Sequence, residues 1–263
     1  QAMLDATQIS AITDIVDAAQ SNAKPIPMLT IDYPGLSLDD GYAVMDELLR
    51  RWTARGREFY GYKAGLTSRA KMVQMGVDVP CFGLMMRDTC DPEGGVIPTG
   101  GLIHPRVEAE IAFVMKDDLA GPEVTVEQVY AATDYVQPAV EIIDSRFENF
   151  KFDLASVVAD NCSSARVVLG GRPRRPEELD LAALGVVLEV NGEPLAYAAS
   201  GAVLGHPAHV IQLLVKWLHG RGQILKAGTV VLAGAVTEAH YIHPGDSVCA
   251  RFQDMGTINV KVS

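Results

Sequence analysis

The sequence has no long hydrophobic run and few features of a secreted or membrane protein. None of its apolar stretches reaches the ~18 residues that a membrane-spanning helix requires, and no basic start followed by an apolar block marks an export signal. The four cysteines show no Cys-x-x-Cys spacing, which is typical of reduced thiols rather than of a disulfide or zinc framework. We therefore expect a cytoplasmic protein that does not act at a membrane.

Basic residues are also scarce relative to acidic ones. The 22 Lys and Arg residues stand against 33 Asp and Glu, which gives a formal net charge of −11. This charge opposes binding to phosphate backbones, so nucleic acid is not an expected partner. The chain also lacks a GxGxxG motif, a P-loop and a Gly-x-Ser-x-Gly elbow. An anionic substrate would need local cationic groups, supplied by a metal or by specific Lys and Arg side chains.

Local patterns divide the chain into a helical N-terminal region and a β-rich body. Apolar residues recur at helical spacing over 7–22, and Ser37-Leu-Asp-Asp40 resembles a capping box that opens a second helix. From about residue 96 onward, short strands alternate with Gly, Pro, Asn and Asp. We predict an α+β fold, with a helical N-terminal region over 1–80 and a β-rich catalytic domain over 81–263.

Two connections carry specific signals: a strand end followed by a helix cap, and a hairpin loop. Residues 59–64 indicate a strand that ends at Gly65, followed by Thr67 as the N-cap of a short helix. Asn191-Gly192 between two apolar segments indicates a hairpin, although the following Glu193-Pro194 predicts a loop longer than two residues.

The acidic pair Glu108 and Glu110 lies in an apolar run that predicts a strand over 104–115. Alternate side chains of a strand share a face, so Arg106, Glu108 and Glu110 point the same way. Two neighbouring carboxylates raise each other's pKa unless a cation lies between them, and their hard oxygens suit Mg²⁺ or Mn²⁺. The alternative is a half-exposed strand with a solvated acidic face.

A third acid, Glu141, begins another alternating segment and completes a possible set of three carboxylate ligands. Mg²⁺ commonly keeps some coordination positions for water or substrate oxygens. A substrate with adjacent carboxylate and carbonyl oxygens could occupy them, and the ion would stabilise the charge that develops on that carbonyl.

Five ordered segments resemble one family of enzymes. They are Gly61-Tyr-Lys-Ala-Gly-Leu-Thr-Ser68, His104-Pro-Arg-Val-Glu-Ala-Glu110, Val140-Glu-Ile-Ile-Asp-Ser-Arg146, Val158-Ala-Asp-Asn161 and Pro244-Gly-Asp246. They span nearly the whole chain and are similar to the 2-oxopent-4-enoate hydratase and 4-oxalocrotonate decarboxylase group of the fumarylacetoacetate hydrolase superfamily. The resemblance implies a fumarylacetoacetate hydrolase-like catalytic body and a place in the meta-cleavage catabolism of aromatic compounds.

The resemblance also implies roles for individual residues. It places Mg²⁺ or Mn²⁺ on Glu108, Glu110 and Glu141, with Lys63 as a catalytic residue beside a bound 2-oxo dicarboxylate. Lys63 would orient the substrate, neutralise developing charge or transfer a proton; the alternative is a surface lysine. The predicted substrate-binding residues are Arg146, Lys151, Asp160, Asn161, Ser163, Thr237 and Cys81. For Thr237 a plain turn is the alternative. Arg106 lies on the face of the acidic pair, and a role limited to neutralising that pair is its alternative.

Two observations favour decarboxylation over hydration within this family. The hydratases carry Pro-Asp-Tyr-Gly where this chain has Pro80-Cys-Phe-Gly83, and that Asp is a proposed acid/base for adding water. The stretch from Ile143 to Asn161 closely resembles the decarboxylases. The resemblance therefore implies decarboxylation of 2-oxohex-3-enedioate to 2-hydroxypenta-2,4-dienoate. The alternatives are the hydratase of that product and, more remotely, a non-catalytic partner subunit; a homo-oligomer and a complex with the pathway hydratase are expected.

Overall fold

The computed structural model describes residues 3–263, and its N-terminal part is helical, as predicted. Asp5 caps the first helix, and Ser37 and Asp40 form the predicted capping box of the third. The apolar faces of these two helices pack together around Ile12, Leu48 and other buried side chains. The helices are α1 (Ala6–Asn22), α2 (Leu29–Asp32), α3 (Leu38–Ala54), α4 (Arg69–Met75), α5 (Val126–Ala132), α6 (Leu154–Ala159) and α7 (Ala208–Gly220).

Two sheets form the rest of the chain. The strands are β1 (Phe59–Gly65), β2 (Cys81–Met86), β3 (Cys90–Asp91), β4 (Val96–Ile97), β5 (Arg106–Met115), β6 (Thr133–Ile143), β7 (Ser164–Leu169), β8 (Gly185–Val190), β9 (Glu193–Ala199), β10 (Val230–Ala235), β11 (His240–Tyr241), β12 (Ser247–Phe252) and β13 (Gly256–Val262). The larger sheet has the order β2-β1-β10-β5-β6-β7-β3, with β11 beside β5, and the smaller has the order β4-β13-β12-β8-β9. The predicted α+β fold is confirmed.

The main hydrophobic core lies between these sheets and α7. Its fully buried side chains come from both sheets and from the inner face of α7, among them Ile111, Leu188, Leu214 and Ile258. Alternation along β8 and β13 places every second side chain in this core, as expected for sheets with one buried face. The core therefore supports the back of the larger sheet and leaves its other face free for a site.

The hairpin between β8 and β9 corrects one prediction. Asn191 and Gly192 alone form the loop, and both have positive φ angles, 55° and 79°. These angles match a two-residue turn that favours Asn-Gly. The expectation of a longer loop was wrong because Pro194 is tolerated on β9, an edge strand that pairs only with β8.

The helix after β1 corrects another prediction. Ser68, not Thr67, caps α4, and its hydroxyl accepts a hydrogen bond from the Lys71 N–H. The Thr67 side chain instead turns inward against Gly234, where a Cβ atom would lie 2.2 Å from the Thr67 hydroxyl oxygen. Gly234 also has a φ of 110°, so glycine is required at this position for two independent reasons.

The larger sheet curls until its two ends meet. The Leu84 N–H of β2 donates to the Asn161 side chain at 2.7 Å, and the Asn161 amide donates back to the Leu84 carbonyl at 2.9 Å. Asn161 lies just before β7, so this buried pair of hydrogen bonds joins opposite ends of the sheet. In a flat sheet β1 and β6 would stand about 14 Å apart, at about 4.8 Å per strand. The curl brings their side chains into contact.

The predicted boundary at residue 80 remains a prediction, but β1 lies before it and is an inner strand of the larger sheet. A search of the described helices found none with the length and apolar character needed to cross a membrane.

We predict that Asn161→Ala destabilises the protein by about 2–4 kcal/mol, because it leaves a buried N–H and a buried carbonyl of Leu84 without partners. Alanine is also disfavoured at the Asn161 φ of 53°. Urea unfolding of the variant checks this. Asn259→Ala, at an exposed position of β13, is the control and should change the free energy of unfolding by less than about 0.5 kcal/mol. Equal effects of the two variants would contradict a closing role for Asn161.

Candidate active site

Three glutamates meet on the inner face of the curled sheet. Antiparallel pairing of β5 with β6 places Glu108 directly opposite Glu141, and Glu110 follows two residues later on the same face. One carboxylate oxygen from each lies within 4.8 Å of the others. The exposed fractions of Glu108, Glu110 and Glu141 are 5%, 0% and 1%. The alternative of a solvated acidic face is therefore wrong.

The carboxylate oxygens in this cluster have few protein partners. Glu110 accepts one hydrogen bond, from the Gly234 N–H at 3.1 Å, whereas its other oxygen and both oxygens of Glu141 have no hydrogen-bond partner. Burial and then the charge of Glu141 raise the pKa of Glu110 well above its ordinary value and also raise that of Glu108. Buried anionic oxygens without partners are costly unless a cation pairs with them. The donor set therefore fits a hard divalent ion such as Mg²⁺ or Mn²⁺.

Lys63 lies beside this cluster. Its ammonium group donates to the Cys162 carbonyl at 2.8 Å and lies 3.2 Å from a carboxylate oxygen of Glu141. Burial opposes the charge of Lys63, but the negative charges around it, Glu141 foremost, outweigh burial and raise its pKa. The alternative of a surface lysine is wrong, since only 3% of the residue is exposed.

Cys81 shares the space next to Lys63. It is the first residue of β2 and pairs with Gly65, and a Cβ atom at Gly65 would lie 3.0 Å from the Cys81 sulfur and 3.7 Å from the Lys63 nitrogen. A hydrogen bond with the Cys162 thiol, aided by Lys63, lowers the pKa of Cys81 despite its burial. Glycine at position 65 thus lets the Cys81 sulfur and the Lys63 nitrogen lie close to the same point of the backbone.

Arg146 and Asp160, two predicted substrate-binding residues, form a buried ion pair with each other. The guanidinium of Arg146 donates to the Asp160 carboxylate at 2.7 Å and to the carbonyls of Asp144, Asp160 and Ser164. The second Asp160 oxygen accepts the Arg146 N–H at 3.0 Å. Because these buried groups satisfy one another, the pair holds the chain between β6 and β7 in place, and substrate contact by Arg146 or Asp160 stays a prediction.

The other predicted substrate residues differ in their surroundings. Both polar atoms of the Asn161 amide are hydrogen-bonded to Leu84, and its substrate contact stays a prediction. Thr237 accepts the N–H of Ala109, between the two acids of β5, at 3.1 Å. The Ser163 hydroxyl is buried without a hydrogen-bond partner, one residue after the carbonyl that binds Lys63. Lys151 is exposed, and no ion pair is found for it among residues 3–263. Ser163, Thr237 and Lys151 stay predictions.

The sequence did not indicate the contacts of Arg106 or the charge effect of Lys71 on the acids. The Arg106 guanidinium lies 4.0 Å from the ring centre of Phe150 and 4.3 Å from that of Tyr241, whose hydroxyl accepts its hydrogen bond. Lys71, on α4, lowers the pKa of Glu108 through its charge, against the larger effects of burial and of Glu141. The only signal for Lys71 was its place in the short helix predicted after Thr67.

Comparison with known proteins finds full-length relatives. The family model for the fumarylacetoacetate (FAA) hydrolase C-terminal region matches residues 80–263. The chain is 46% identical over 254 residues to a 4-oxalocrotonate decarboxylase of Pseudomonas sp. (strain CF600), covering 97% of this chain and 96% of the relative. It is 35% identical over 265 residues to a 2-oxo-hept-4-ene-1,7-dioate hydratase of Escherichia coli, covering 98% and 99%.

A solved structure matches the whole fold. The 4-oxalocrotonate decarboxylase from Pseudomonas putida G7, complexed with magnesium and adipate, superimposes with a TM-score of 0.98 at 44% identity, and the match covers 100% of both chains. The family model accounts for more than half of this chain and the relatives for nearly all of it, so the chain belongs to the fumarylacetoacetate hydrolase family.

Proposed function

We propose that this chain is a divalent-metal-dependent 4-oxalocrotonate decarboxylase, a carbon–carbon lyase that converts 2-oxohex-3-enedioate to 2-hydroxypenta-2,4-dienoate and CO₂. The observation that carries the proposal is the side chain beside Lys63, which is Cys81 where the related hydratases have an aspartate. The identity to decarboxylases, 46% against 35% for the hydratase, supports the same choice. The reaction belongs to the meta-cleavage catabolism of aromatic compounds.

The site has the parts that this reaction requires. The C5–C6 bond breaks, CO₂ leaves, and the electron pair moves through C4 and C3 to the 2-oxo group, where a proton completes the enol. Glu108, Glu110 and Glu141 would hold Mg²⁺ or Mn²⁺, which when bound supplies a Lewis acid for the 2-oxo acid end of the substrate. Lys63 adds a buried positive charge on the same side, where it stabilises negative charge that develops on the oxygen.

Cys81 distinguishes this site from one that adds water. Hydration needs a side chain that moves a proton to or from water, whereas loss of CO₂ does not. A weakly polar thiol beside the departing carboxylate favours a neutral product, because the charged ground state is poorly solvated there. Cys81 thus suits decarboxylation. The second candidate activity is hydration, and the near-complete alignment with a hydratase favours it.

The proposal also covers the class of substrate and the partner proteins of this chain. A dicarboxylate substrate is supported by the magnesium and adipate in the related decarboxylase. We also propose a cytoplasmic homo-oligomer that associates with the pathway hydratase. A non-catalytic partner subunit is the remote alternative, and the presence of Lys63 together with all three acids argues against a dead site.

The direct test is an assay for CO₂ release from 2-oxohex-3-enedioate with Mg²⁺, run beside an assay for hydration of 2-hydroxypentadienoate. We expect CO₂ release, and Glu108→Gln should lower it at least ~100-fold and weaken Mg²⁺ binding measured by calorimetry. Glu193→Gln, at an exposed position of β9, is the matched control and should leave both unchanged. Hydration without CO₂ release would reject the decarboxylase, and unchanged Mg²⁺ affinity of Glu108→Gln would remove that residue from the metal site.

Metal removal gives a second prediction. Without the ion, the folded-state pKa of Glu110 lies well above the ordinary 4.5, so the folded protein binds this proton more tightly than the unfolded chain does. The contribution of this protonated carboxyl group to the free energy of unfolding is therefore complete below pH 4.5. It is lost as the pH rises through the raised folded-state pKa of Glu110. Thermal unfolding in a chelator should show this loss, Glu110→Gln should reduce it, and Mg²⁺ should stabilise the wild type more than the variant. Parallel pH profiles of wild type and variant would contradict the prediction.

A further inference from the structure

The Lys63 side chain is held by an unusual stretch of backbone. Asn161, Cys162 and Ser163 have left-handed φ angles of 53°, 51° and 58°, the longest such run of non-glycine residues within 3–263. Residues with a side chain are sterically disfavoured in this conformation, so it persists only where the surroundings impose it. Here the Asn161 side chain binds the N–H and the carbonyl of Leu84, and the Asp144 N–H donates to the Ser163 carbonyl at 2.9 Å. This left-handed turn is therefore fixed at both ends.

The left-handed turn points the Cys162 carbonyl at the Lys63 ammonium group, which donates to it at 2.8 Å. The same nitrogen lies 3.2 Å from a carboxylate oxygen of Glu141. An ammonium group has three N–H donors, so an anchor on a neutral carbonyl fixes the directions of the other two. Without this anchor, a buried cation moves toward the nearest anions, and these are the proposed metal ligands. The carbonyl therefore competes with Glu141 for the ammonium group.

Gly83 provides the room for this contact. It is the residue of β2 that pairs with Lys63 of β1. A Cβ atom at Gly83 would lie 2.7 Å from the Asn161 carbonyl oxygen, 3.1 Å from the Lys63 Cδ and 3.2 Å from the Cys162 Cβ. The lysine side chain and the left-handed turn thus pack over the position where other residues carry a side chain. A methyl group at this position would push them apart.

We propose that Cys162, through its left-handed backbone, and Gly83 are positioning residues that keep the Lys63 ammonium group from pairing fully with the metal ligands. The inference rests on the proposed function, in which Glu141 helps to hold Mg²⁺ or Mn²⁺ and Lys63 stabilises charge on the substrate. An ammonium group that moved onto Glu141 would compete with the ion for that carboxylate. It would also leave the substrate oxygen on which negative charge develops. The turn therefore keeps apart two positive charges that are both attracted to the same acidic cluster.

The test uses two replacements of Cys162 that both remove the thiol. Glycine adopts the left-handed conformation freely, whereas the β-branched valine is disfavoured in it. We expect Cys162→Val to weaken Mg²⁺ binding, measured by calorimetry, about 10-fold. At saturating Mg²⁺ it should lower kcat for CO₂ release about 10-fold, with KM changed less than about 3-fold. Cys162→Gly should keep all three values within about 3-fold of the wild type.

Two further comparisons show whether the effect acts through Lys63. Gly83→Ala should change Mg²⁺ affinity and kcat in the same direction as Cys162→Val, because its methyl group separates Lys63 from the turn. Gly100→Ala is the matched control and should behave as the wild type, since nothing lies within 4 Å of a Cβ atom there. In a Lys63→Met background, Cys162→Val should leave Mg²⁺ affinity unchanged, because no ammonium group remains to compete with the ion.

Several results would overturn the inference. Equal losses of Mg²⁺ affinity in Cys162→Gly and Cys162→Val would assign the effect to the thiol. An unchanged affinity of Cys162→Val, or a loss as large in the Lys63→Met background, would show that the turn does not act through Lys63. If Cys162→Val fails to fold, Gly83→Ala with and without Lys63→Met decides. Failure of the proposed function is separate, because it appears as absence of CO₂ release from the wild type, whereas Mg²⁺ binding is measured without turnover.

Discussion

The burial of three carboxylates side by side is the constraint on which the rest of this structure depends. Glu108 and Glu141 face each other across two paired strands, and Glu110 stands next to them with almost no solvent. Such a cluster is tolerated only where positive charge or hydrogen-bond donors converge on it. Here the Gly234 N–H and the Lys63 ammonium converge from two neighbouring strands, and oxygens of Glu110 and Glu141 remain without hydrogen-bond partners. The remaining need for a cation links the fold to its chemistry.

The polar residues around the cluster divide into those that build the frame and those that border the site. Asn161 and the Arg146–Asp160 pair have their polar atoms satisfied within the protein, so they hold the sheet closed and fix the chain before β7. Lys63 and Cys81 lie close to each other beside Gly65. The frame is buried and fully hydrogen-bonded, which gives the site a rigid setting at little cost in unsatisfied groups.

The lysine charges near the glutamate cluster are opposite in sign to the net charge of the whole chain. A net charge of −11 disfavours a dianionic substrate in general, yet Lys63 and Lys71 both act on the glutamate cluster. Lys63 is buried and Lys71 exposed, so the first is desolvated and strong and the second is screened by water. A buried cation such as Lys63 suits charge that develops during a reaction.

Local sequence patterns were enough to predict the helices and strands around the site and its chemical type. Capping residues and helical spacing predicted α1 and α3, and alternation along β5 placed Glu108 and Glu110 on one face, because these patterns depend only on neighbouring residues. A second alternating segment added Glu141, and motif resemblance added the role of Lys63. It could not separate Arg146, Asp160 and Asn161, which serve the frame, from side chains that border the site, since both kinds are short polar or charged residues in turns.

Which side chains meet in the site depends on how the sheet folds in three dimensions. The curl of the larger sheet carries Lys63 from β1 to Glu141 on β6, and the inward turn of Thr67 moves the cap of α4 to Ser68. Contacts between residues far apart in sequence depend on how strands twist and pack, and no local pattern contains that information.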